Sequence, residues 1–182
     1  MNWNDQNPVV LGIDPGLDGG LAWILPDRVE ARVTPTLAGG KGGGKRAFDV
    51  SAMLAMLELH RPELVVLEAV SAAPVAGRVQ GTKSMFGFGR GFGIWEGIIA
   101  ALRLPHLLVA PQSWKKVVLE GTAKDKLAAI TFAQRRFPGV SLLATPRSRV
   151  PHDGMADALC LADYGRRQLV GQTVKARGNG VA

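Results

Sequence analysis

Short apolar runs alternate with longer amphipathic segments along the chain, and their spacing predicts the secondary structure. Runs rich in Val, Ile and Leu are typical of buried strands. Two of these runs flank Pro26-Asp27, which has the composition of a hairpin turn. On this basis we predict strands over residues 9–13, 19–25, 29–34, 64–68 and 107–110.

Helical periodicity and helix-terminating residues divide the rest of the chain. Pro111 is suited to the first turn of a helix. Pro138-Gly139 would end a different helix, the one that reaches Phe137. The Gly- and Lys-rich run at 37–46 predicts a mobile linker, residues 70–81 an irregular segment, and the polar tail from Gly171 a frayed end. We predict helices between Asp49 and Pro62, over about 84–104, over 113–119, from Thr122 or Ala123 to Phe137, and from Asp153 to about Leu169.

The order of these elements predicts the fold class. A three-strand meander followed by alternating strands and helices is typical of an α/β domain, with a mixed sheet flanked by helices on both faces. A chain of 182 residues is long enough for one domain with a substantial core. We therefore expect a single domain over residues 1–182, with flexible ends at 1–7 and 171–182. In such sheets, chemistry is concentrated at the carboxyl ends of parallel strands.

Composition narrows the class of protein and its partners. Apolar residues make up 47% of the chain, which favours a folded domain over disorder. Lys and Arg number 22 against 15 Asp and Glu, a net charge of +7 that favours a polyanionic partner such as nucleic acid. A basic protein with no such partner is the alternative. One cysteine, Cys160, a polar N-terminus and no membrane-length apolar stretch predict a soluble, cytoplasmic protein.

Four acidic residues lie where carboxylates are costly to bury. Asp14 and Glu68 end two predicted strands, while Asp153 and Asp157 lie four residues apart on one face of the last helix. A carboxylate at the end of a buried strand loses hydration free energy unless a cation or hydrogen-bond donors compensate. Two Mg²⁺ ions about 3.5–4 Å apart, as in two-metal nucleases, require anionic oxygen ligands of this kind. The pattern therefore predicts a divalent-metal site.

Plainer interpretations exist for three of these residues. Asp14, followed by Pro15-Gly16, can be a turn residue, Glu68 an exposed strand end, and Asp153 a helix cap. Asp157 is harder to explain in this way because it lies within an otherwise apolar helix segment. The Asp14 segment is also similar to the phosphate-binding segment of actin-like sugar kinases, but that fold requires two domains and a second phosphate loop.

Five sequence blocks, in the order in which they occur here, resemble a known family. They are Gly12-Ile13-Asp14-Pro15-Gly16, Leu67-Glu68, the Gly-rich segment at 84–95, Pro111-Gln112-Ser113-Trp114-Lys115-Lys116, and His152-Asp153-Gly154-Met155-Ala156-Asp157-Ala158-Leu159. Together they resemble the RuvC-type Holliday junction resolvases, in the phage-like branch of the ribonuclease H-like superfamily. The resemblance spans residues 9 to about 165.

The resemblance implies a ribonuclease H-like fold and a specific activity. Members of the family are homodimeric crossover junction endodeoxyribonucleases, which make paired symmetric nicks in four-way DNA junctions during recombination and repair. They use Mg²⁺ or Mn²⁺, with two ions per active site. Carried over by position, Asp14, Glu68 and Asp157 match the catalytic and metal-binding carboxylates, with Asp153 as the expected fourth. A bacterial or phage-encoded context is expected with them.

Two features depart from the cellular members of the family. Their last two acids are typically three residues apart, whereas the residue three before Asp157 here is Gly154. They also carry an aromatic wedge in the loop after the Glu-bearing strand, which inserts at the junction centre. Residues 70–85 contain no aromatic residue. The role of Asp153 and the means of opening a junction are therefore open at this point.

A stripe of glycines on the second predicted helix indicates a surface for close helix packing. Gly89, Gly93 and Gly97 recur every four residues, with Phe92 beside them. We interpret this stripe as a homodimer interface, with packing of the helix on its own sheet as the alternative. Candidate DNA contacts include the basic residues Arg78, Lys83, Arg90, Lys115, Lys116, Lys124 and Lys126.

Three functions are compatible with these features. A metal-dependent junction resolvase is the main hypothesis. A broader ribonuclease H-like nuclease that cuts forks, flaps or RNA–DNA hybrids is the second. A non-catalytic junction-binding protein is the third, and the four acids argue against it.

Overall fold

The structure, a computed structural model, describes residues 8–39, 45–69 and 82–178; of residues 82–85 and 172–178 it describes only the backbone. Its strands are β1 (Val10–Asp14), β2 (Gly20–Ile24), β3 (Val29–Val33), β4 (Thr36–Leu37), β5 (Ala47–Phe48), β6 (Leu64–Glu68) and β7 (His106–Val109). Its helices are α1 (Val50–Leu59), α2 (Thr82–Ala101), α3 (Pro111–Val118), α4 (Lys126–Arg136) and α5 (Asp153–Gly178).

Within the described ranges, five strands form one mixed sheet in the order β3-β2-β1-β6-β7. Strand β1 pairs antiparallel with β2 and parallel with β6, and β7 continues the parallel half beside β6. Helices pack on both faces, so the predicted mixed five-stranded sheet is confirmed. The parallel half is where chemistry is expected at the strand ends.

Alternate residues of the central strands enter two different cores. On one face, Val10 and Val66 pack with α3, α4 and α5; on the other, Leu11 and Val65 pack with α1 and α2. Strands buried on both faces have continuous apolar sequences rather than alternating ones. This burial explains the unbroken apolar runs, and it means that a carboxylate at the end of β1 or β6 is held close to apolar surroundings.

Helix α5 lies directly against the centre of the sheet because glycines allow two backbones to approach. A Cβ added at Gly12 of β1 would lie 2.1 Å from the carbonyl oxygen of Ala158. One added at Gly154 would lie 2.4 Å from the carbonyl oxygen of Asp18. A side chain at either position would displace backbone. The close contact therefore holds the acidic first turns of α5 beside the end of β1.

A buried carboxylate connects α4 to α5. Asp163 is 1% exposed, and it accepts hydrogen bonds from Arg166 at 3.1 Å and from Arg167 at 2.7 Å. Arg136 of α4 lies 3.5 Å from the same carboxylate. Ionic partners and hydrogen bonds of this kind offset the desolvation of a buried charge. The connection helps to set the position of α4, whose first residue enters the site described below.

The start of α4 differs from the predicted one at Thr122 or Ala123. Lys124 has a positive φ of 58°, which interrupts any helix that begins before it. Asp125 then caps the helix, because its carboxylate accepts a hydrogen bond of 2.8 Å from the backbone N–H of Ala128.

The end of α5 also differs from the predicted one. The helix continues past Leu169 and Gly171 to Gly178. A single glycine costs a helix about 1 kcal/mol relative to alanine and need not end it. The linker predicted at 37–46 begins one residue too early, because Leu37 belongs to β4, which pairs with β5. Residues 40–44 of this predicted linker lie outside the described residues. None of the helices in the described ranges combines the length and apolar character that spanning a membrane requires.

Candidate active site

Asp14 and Glu68 lie side by side at the carboxyl ends of two parallel strands. Ile13 of β1 is in register with Leu67 of β6, so the next residue of each strand is the carboxylate. Asp14 Oδ1 accepts a hydrogen bond of 3.3 Å from the backbone N–H of Gly16. The turn after β1 therefore orients the first carboxylate of the site.

Helix α5 brings the other two carboxylates to the same place. Asp153 and Asp157 line one cleft with Asp14 and Glu68, and the volume of this cleft is about 550 Å³. Phe88 of α2 forms part of its wall. All four acids predicted from the sequence thus meet in one cleft, with contributions from β1, β6 and α5.

The helix cap of α5 comes from a residue next to Asp153. The backbone N–H of Met155 donates to His152 Nδ1 at 3.3 Å, so the histidine supplies the capping hydrogen bond. Asp153 instead accepts hydrogen bonds from the backbone N–H of Gly154, at 3.1 Å, and from the side chain of Lys126. Its carboxylate therefore faces the cleft.

The carboxylates crowd negative charge into a poorly hydrated space. Burial raises the pKa of the Asp14 carboxyl well above its usual range, and the nearby charges of Glu68, Asp157 and Asp153 raise it further. Burial also raises the pKa of Glu68, and it raises that of Asp157 to about 6. A cation bound among these groups would stabilise their ionised forms.

Two lysines already supply part of the compensating charge. Burial acts to raise the pKa of Asp153, but the bonded ammonium of Lys126 lowers it below its ordinary value. Lys115 lies 5.1 Å from the centroid of the Trp114 ring, where its charge opposes the rise in the pKa of Glu68. These two lysines therefore tune the acidity of the cluster.

A buried tryptophan holds the carboxylate of Glu68. Trp114 of α3 is fully buried, and its Nε1–H donates to Glu68 Oε1 at 2.8 Å. This bond opposes the effect of burial on the pKa of Glu68. It also leaves one carboxylate oxygen without this constraint, so the side chain is fixed in orientation but keeps capacity for a ligand.

The chemistry of these donors suits a hard divalent cation, since carboxylate oxygens are the ligands that Mg²⁺ prefers. Within the described part of the chain, however, no group of three acidic, histidine or cysteine side chains is already arranged to hold a metal ion. The ammonium group of Lys126 instead donates a hydrogen bond to the carboxylate of Asp153. By the chemistry of its oxygen donors, the set of four carboxylates fits a divalent metal ion.

The basic residues that were predicted to contact DNA lie in different parts of the structure. Lys115 approaches the acids, whereas Lys116 and Lys124 are exposed and do not line the cleft. Arg90 is exposed on α2 and lines a neighbouring cavity. Arg78 lies outside the described residues, as does the side chain of Lys83.

Trp114 was not singled out from the sequence, and Lys126 was predicted only as a DNA contact, not as a partner of Asp153. Trp114 lies within a block that resembles the family, but nothing in the sequence links it to Glu68. Lys126 is one of several lysines near the start of a helix. Only the packing of α4 against α5 distinguishes it from Lys124, which sits two residues earlier.

The glycine stripe of α2 faces away from the protein's own sheet. Apart from the neighbouring residues and backbone of α2 itself, no atom of the described chain lies within 4 Å of a Cβ added at Gly89, Gly93 or Gly97. Packing against the sheet instead uses the other side of the helix, including buried Trp95. Phe92 is partly buried against that core, so it lies between the open stripe and the interior.

Known proteins match this chain in fold rather than in sequence. The sequence matches no protein-family model and no curated protein. Thermus thermophilus RuvC matches over 90% of this chain and 96% of its own, with 19% identity and a TM-score of 0.55. The chain has the RuvC fold. T. thermophilus RuvC in complex with Holliday junction substrate matches over 88% and 96%, with 17% identity and a TM-score of 0.52.

A yeast protein has the same architecture. The yeast mitochondrial Holliday junction resolvase matches over 88% of this chain and 78% of its own, with 15% identity and a TM-score of 0.50. Within the RuvC fold of this chain, the four carboxylates come from the adjacent parallel strands β1 and β6 and from α5, which packs against them.

Proposed function

We propose that this chain is a metal-dependent, structure-specific DNA endonuclease that resolves four-way junctions by paired symmetric nicks. The convergence of Asp14, Glu68, Asp153 and Asp157 in one cleft carries the proposal. The fold supports it, because T. thermophilus RuvC has this architecture in a complex with Holliday junction substrate. The net charge of +7 suits a polyanionic substrate.

The metal site would use all four carboxylates. We assign Asp14, Glu68 and Asp157 to two Mg²⁺ ions, or Mn²⁺ in their place, with Asp153 as the fourth ligand. The raised pKa values of the first three fit a site that gains from added positive charge. When bound, such ions supply an activated water and stabilise charge on the phosphoryl group and the leaving 3′-oxygen.

Neighbouring side chains would orient the substrate and the acids. Lys126 and Lys115 place positive charge beside the carboxylates, where a phosphodiester must approach an acidic cleft. Trp114 keeps Glu68 in one orientation through its hydrogen bond. The remaining proposed DNA contacts are Arg78, Lys83, Arg90, Lys116 and Lys124.

A homodimer would supply the second active site that paired nicks require. We place its interface on the open face of α2 formed by Gly89, Gly93 and Gly97, with Phe92 at the edge. Gly93→Arg would obstruct this face without touching the chain's own core. Analytical sedimentation should show that the substitution converts a dimer into a folded monomer.

Cleavage of a labelled synthetic four-way junction tests the function. The same reaction is run on a linear duplex, a splayed fork and an RNA–DNA hybrid, with Mg²⁺ and with EDTA. Symmetric nicks only in the junction, and only with metal, are expected. Equal cutting of the fork or hybrid would instead indicate a broader nuclease.

Asp14→Asn separates catalysis from binding. The variant should lose cleavage but still retard the junction in a gel, because it removes a charge from the cleft and leaves the basic surface intact. Asp27→Asn, at an exposed site, is the matched control and should cleave normally. Junction binding without cleavage by the unsubstituted protein, with either Mg²⁺ or Mn²⁺, would indicate a non-catalytic junction-binding protein.

A further inference from the structure

We propose that a second cavity, beside the acidic cleft, binds an unstacked nucleobase next to the scissile phosphate, with Phe86 as its stacking surface. The inference rests on the proposed function, because it needs DNA in the cleft. Residues 70–85 contain no aromatic residue, and Phe86 is the first aromatic residue that follows Glu68 in the chain.

The cavity is large enough for a nucleotide and continuous with the cleft. Its volume is about 630 Å³, and Leu17 and Gly87 line both it and the acidic cleft. Its aromatic lining consists of Phe86 and Phe48. A strand whose phosphate lies at the carboxylates would therefore pass this cavity with a neighbouring nucleotide.

Phe86 is unusually exposed for a phenylalanine. It is 74% accessible, whereas Phe48 at the same cavity is 5% accessible and belongs to the core. A ring in this position contributes little to folding, so its apolar surface is available to a partner. Every nucleobase has a π face that can stack on such a ring, and aromatic stacking is the common way to hold bases outside a duplex.

Basic side chains surround the aromatic surface. Lys45, Arg46 and Arg90 line the cavity, and no acidic side chain does so among the described residues. Phe86 and Arg90 are four residues apart on α2, so they share one face of the helix. Arg46 already pairs with the carboxylate of Asp18. Lys45 and Arg90 are therefore the cations that, together with the exposed ring, are complementary to a base and its flanking phosphates.

The helix that carries Phe86 is held firmly against the site. A Cβ added at Gly91 would lie 2.2 Å from the carbonyl oxygen of Pro15 and 2.6 Å from the Phe48 ring. This close approach ties α2 to the turn that follows Asp14. The stacking surface is therefore placed by rigid elements relative to the carboxylates.

Photocrosslinking tests the contact without requiring cleavage. Junctions carrying 5-iodouracil at single positions on either side of the exchange point are bound to Asp14→Asn protein and irradiated. Mass spectrometry then locates the crosslinked residue. We expect a crosslink to Phe86 from a nucleotide adjacent to the cut site. Crosslinks that map only to other residues would overturn the inference.

Cleavage kinetics supply an independent readout on the same junctions. Phe86→Ala should cut a fully paired junction about tenfold more slowly, which is within the range for loss of one base–aromatic stack. A junction with mismatched bases at its centre should restore the rate, and Phe86→Trp should retain it. Leu59→Ala, at a residue that is 67% exposed, is the control and should not change the rate.

The outcomes separate this inference from the proposed function. If the unsubstituted protein cuts the junction and Phe86→Ala cuts it equally fast, the inference is wrong and the function stands. If the unsubstituted protein does not cut with Mg²⁺ or Mn²⁺, the proposed function is wrong, and the crosslink to Phe86 alone decides whether the inference stands. If Phe86→Ala turns a dimer into a monomer in sedimentation, the ring contacts a second copy of the chain and the base-binding role is wrong.

Discussion

The indole N–H of Trp114 donates a hydrogen bond of 2.8 Å to Oε1 of Glu68, and the two residues are 46 positions apart in the chain. The bond joins α3 to the end of β6 at the edge of the acidic cleft. Because the ring is fully buried, it cannot turn away and leave the carboxylate to solvent. Trp114 thus positions Glu68 and limits how far burial raises its pKa.

Trp114→Phe should remove this bond while retaining most of the packing. The free energy of unfolding should fall by about 1–3 kcal/mol, as for loss of a hydrogen bond to a charged group. The pKa of Glu68 should rise, so the ascending limb of the pH–rate profile for junction cleavage should move to higher pH. Urea denaturation and the pH profile measure the two effects.

Trp95→Phe is the matched control for that experiment. Trp95 is also fully buried, but its Nε1 has no hydrogen-bond partner among the described residues. Replacing it should leave the pH–rate profile unchanged. An equal shift of the profile in both variants would show that packing, rather than the bond to Glu68, is responsible.

Asp157→Asn should stabilise the metal-free protein at neutral pH. Burial raises the pKa of Asp157 to about 6, so the folded state holds the neutral form more strongly than the unfolded state does. The stability associated with this group is fully present below about pH 4, the ordinary pKa of Asp, and is lost as pH rises through 6. The variant should gain about 1–3 kcal/mol at pH 7.5 in EDTA and little at pH 4.

Asp153→Asn is expected to change stability in the opposite direction. The bond to Lys126 lowers the pKa of Asp153. The ionised carboxylate therefore stabilises the folded protein at pH values above its ordinary pKa, and this stabilisation is lost as the pH falls. Urea denaturation in EDTA at pH 7.5 should therefore show destabilisation of this variant. A gain in both variants would contradict the different electrostatic environments of the two carboxylates.

Lys126→Met should strengthen binding of Mg²⁺ to the isolated protein. The ammonium group bonds to Asp153 and therefore competes with a cation for that carboxylate. Its removal should lower the dissociation constant by roughly three- to tenfold, consistent with loss of one charge near a partly solvated site. Calorimetric titration measures the constant directly. Lys124→Met, outside the cleft, should leave it unchanged, and weaker binding to Lys126→Met would contradict the competition.

Asp163→Asn should weaken the attachment of α4 to α5. The substitution leaves three arginines without their shared carboxylate, and breaking buried ion pairs in this way is strongly destabilising. We expect the free energy of unfolding to fall by about 2–4 kcal/mol, since the arginines are partly exposed and regain some hydration. Asp27→Asn, which affects only an exposed ion pair, should change it by about 0.5 kcal/mol or less.

Local sequence patterns are sufficient to predict the strands of the sheet and to assign each acid to a strand end or a helix face. Apolar runs predict buried strands because burial on both faces excludes polar residues from them. Asp14 and Glu68 end two of those runs, and the spacing of Asp153 and Asp157 places both on one helix face. These features depend on residues near one another in the chain, so they can be read locally.

The side chains that surround those acids come from distant parts of the chain and are known only from the folded structure. Lys126 and Asp153 are 27 residues apart, and Trp114 and Glu68 are 46 apart, so no local pattern relates either pair. The start of α4 depends on the positive φ of Lys124, and the direction of the glycine stripe on α2 depends on which face packs against the sheet. Contacts between distant segments form only when the whole core is assembled, and that assembly determines the electrostatics of the cleft.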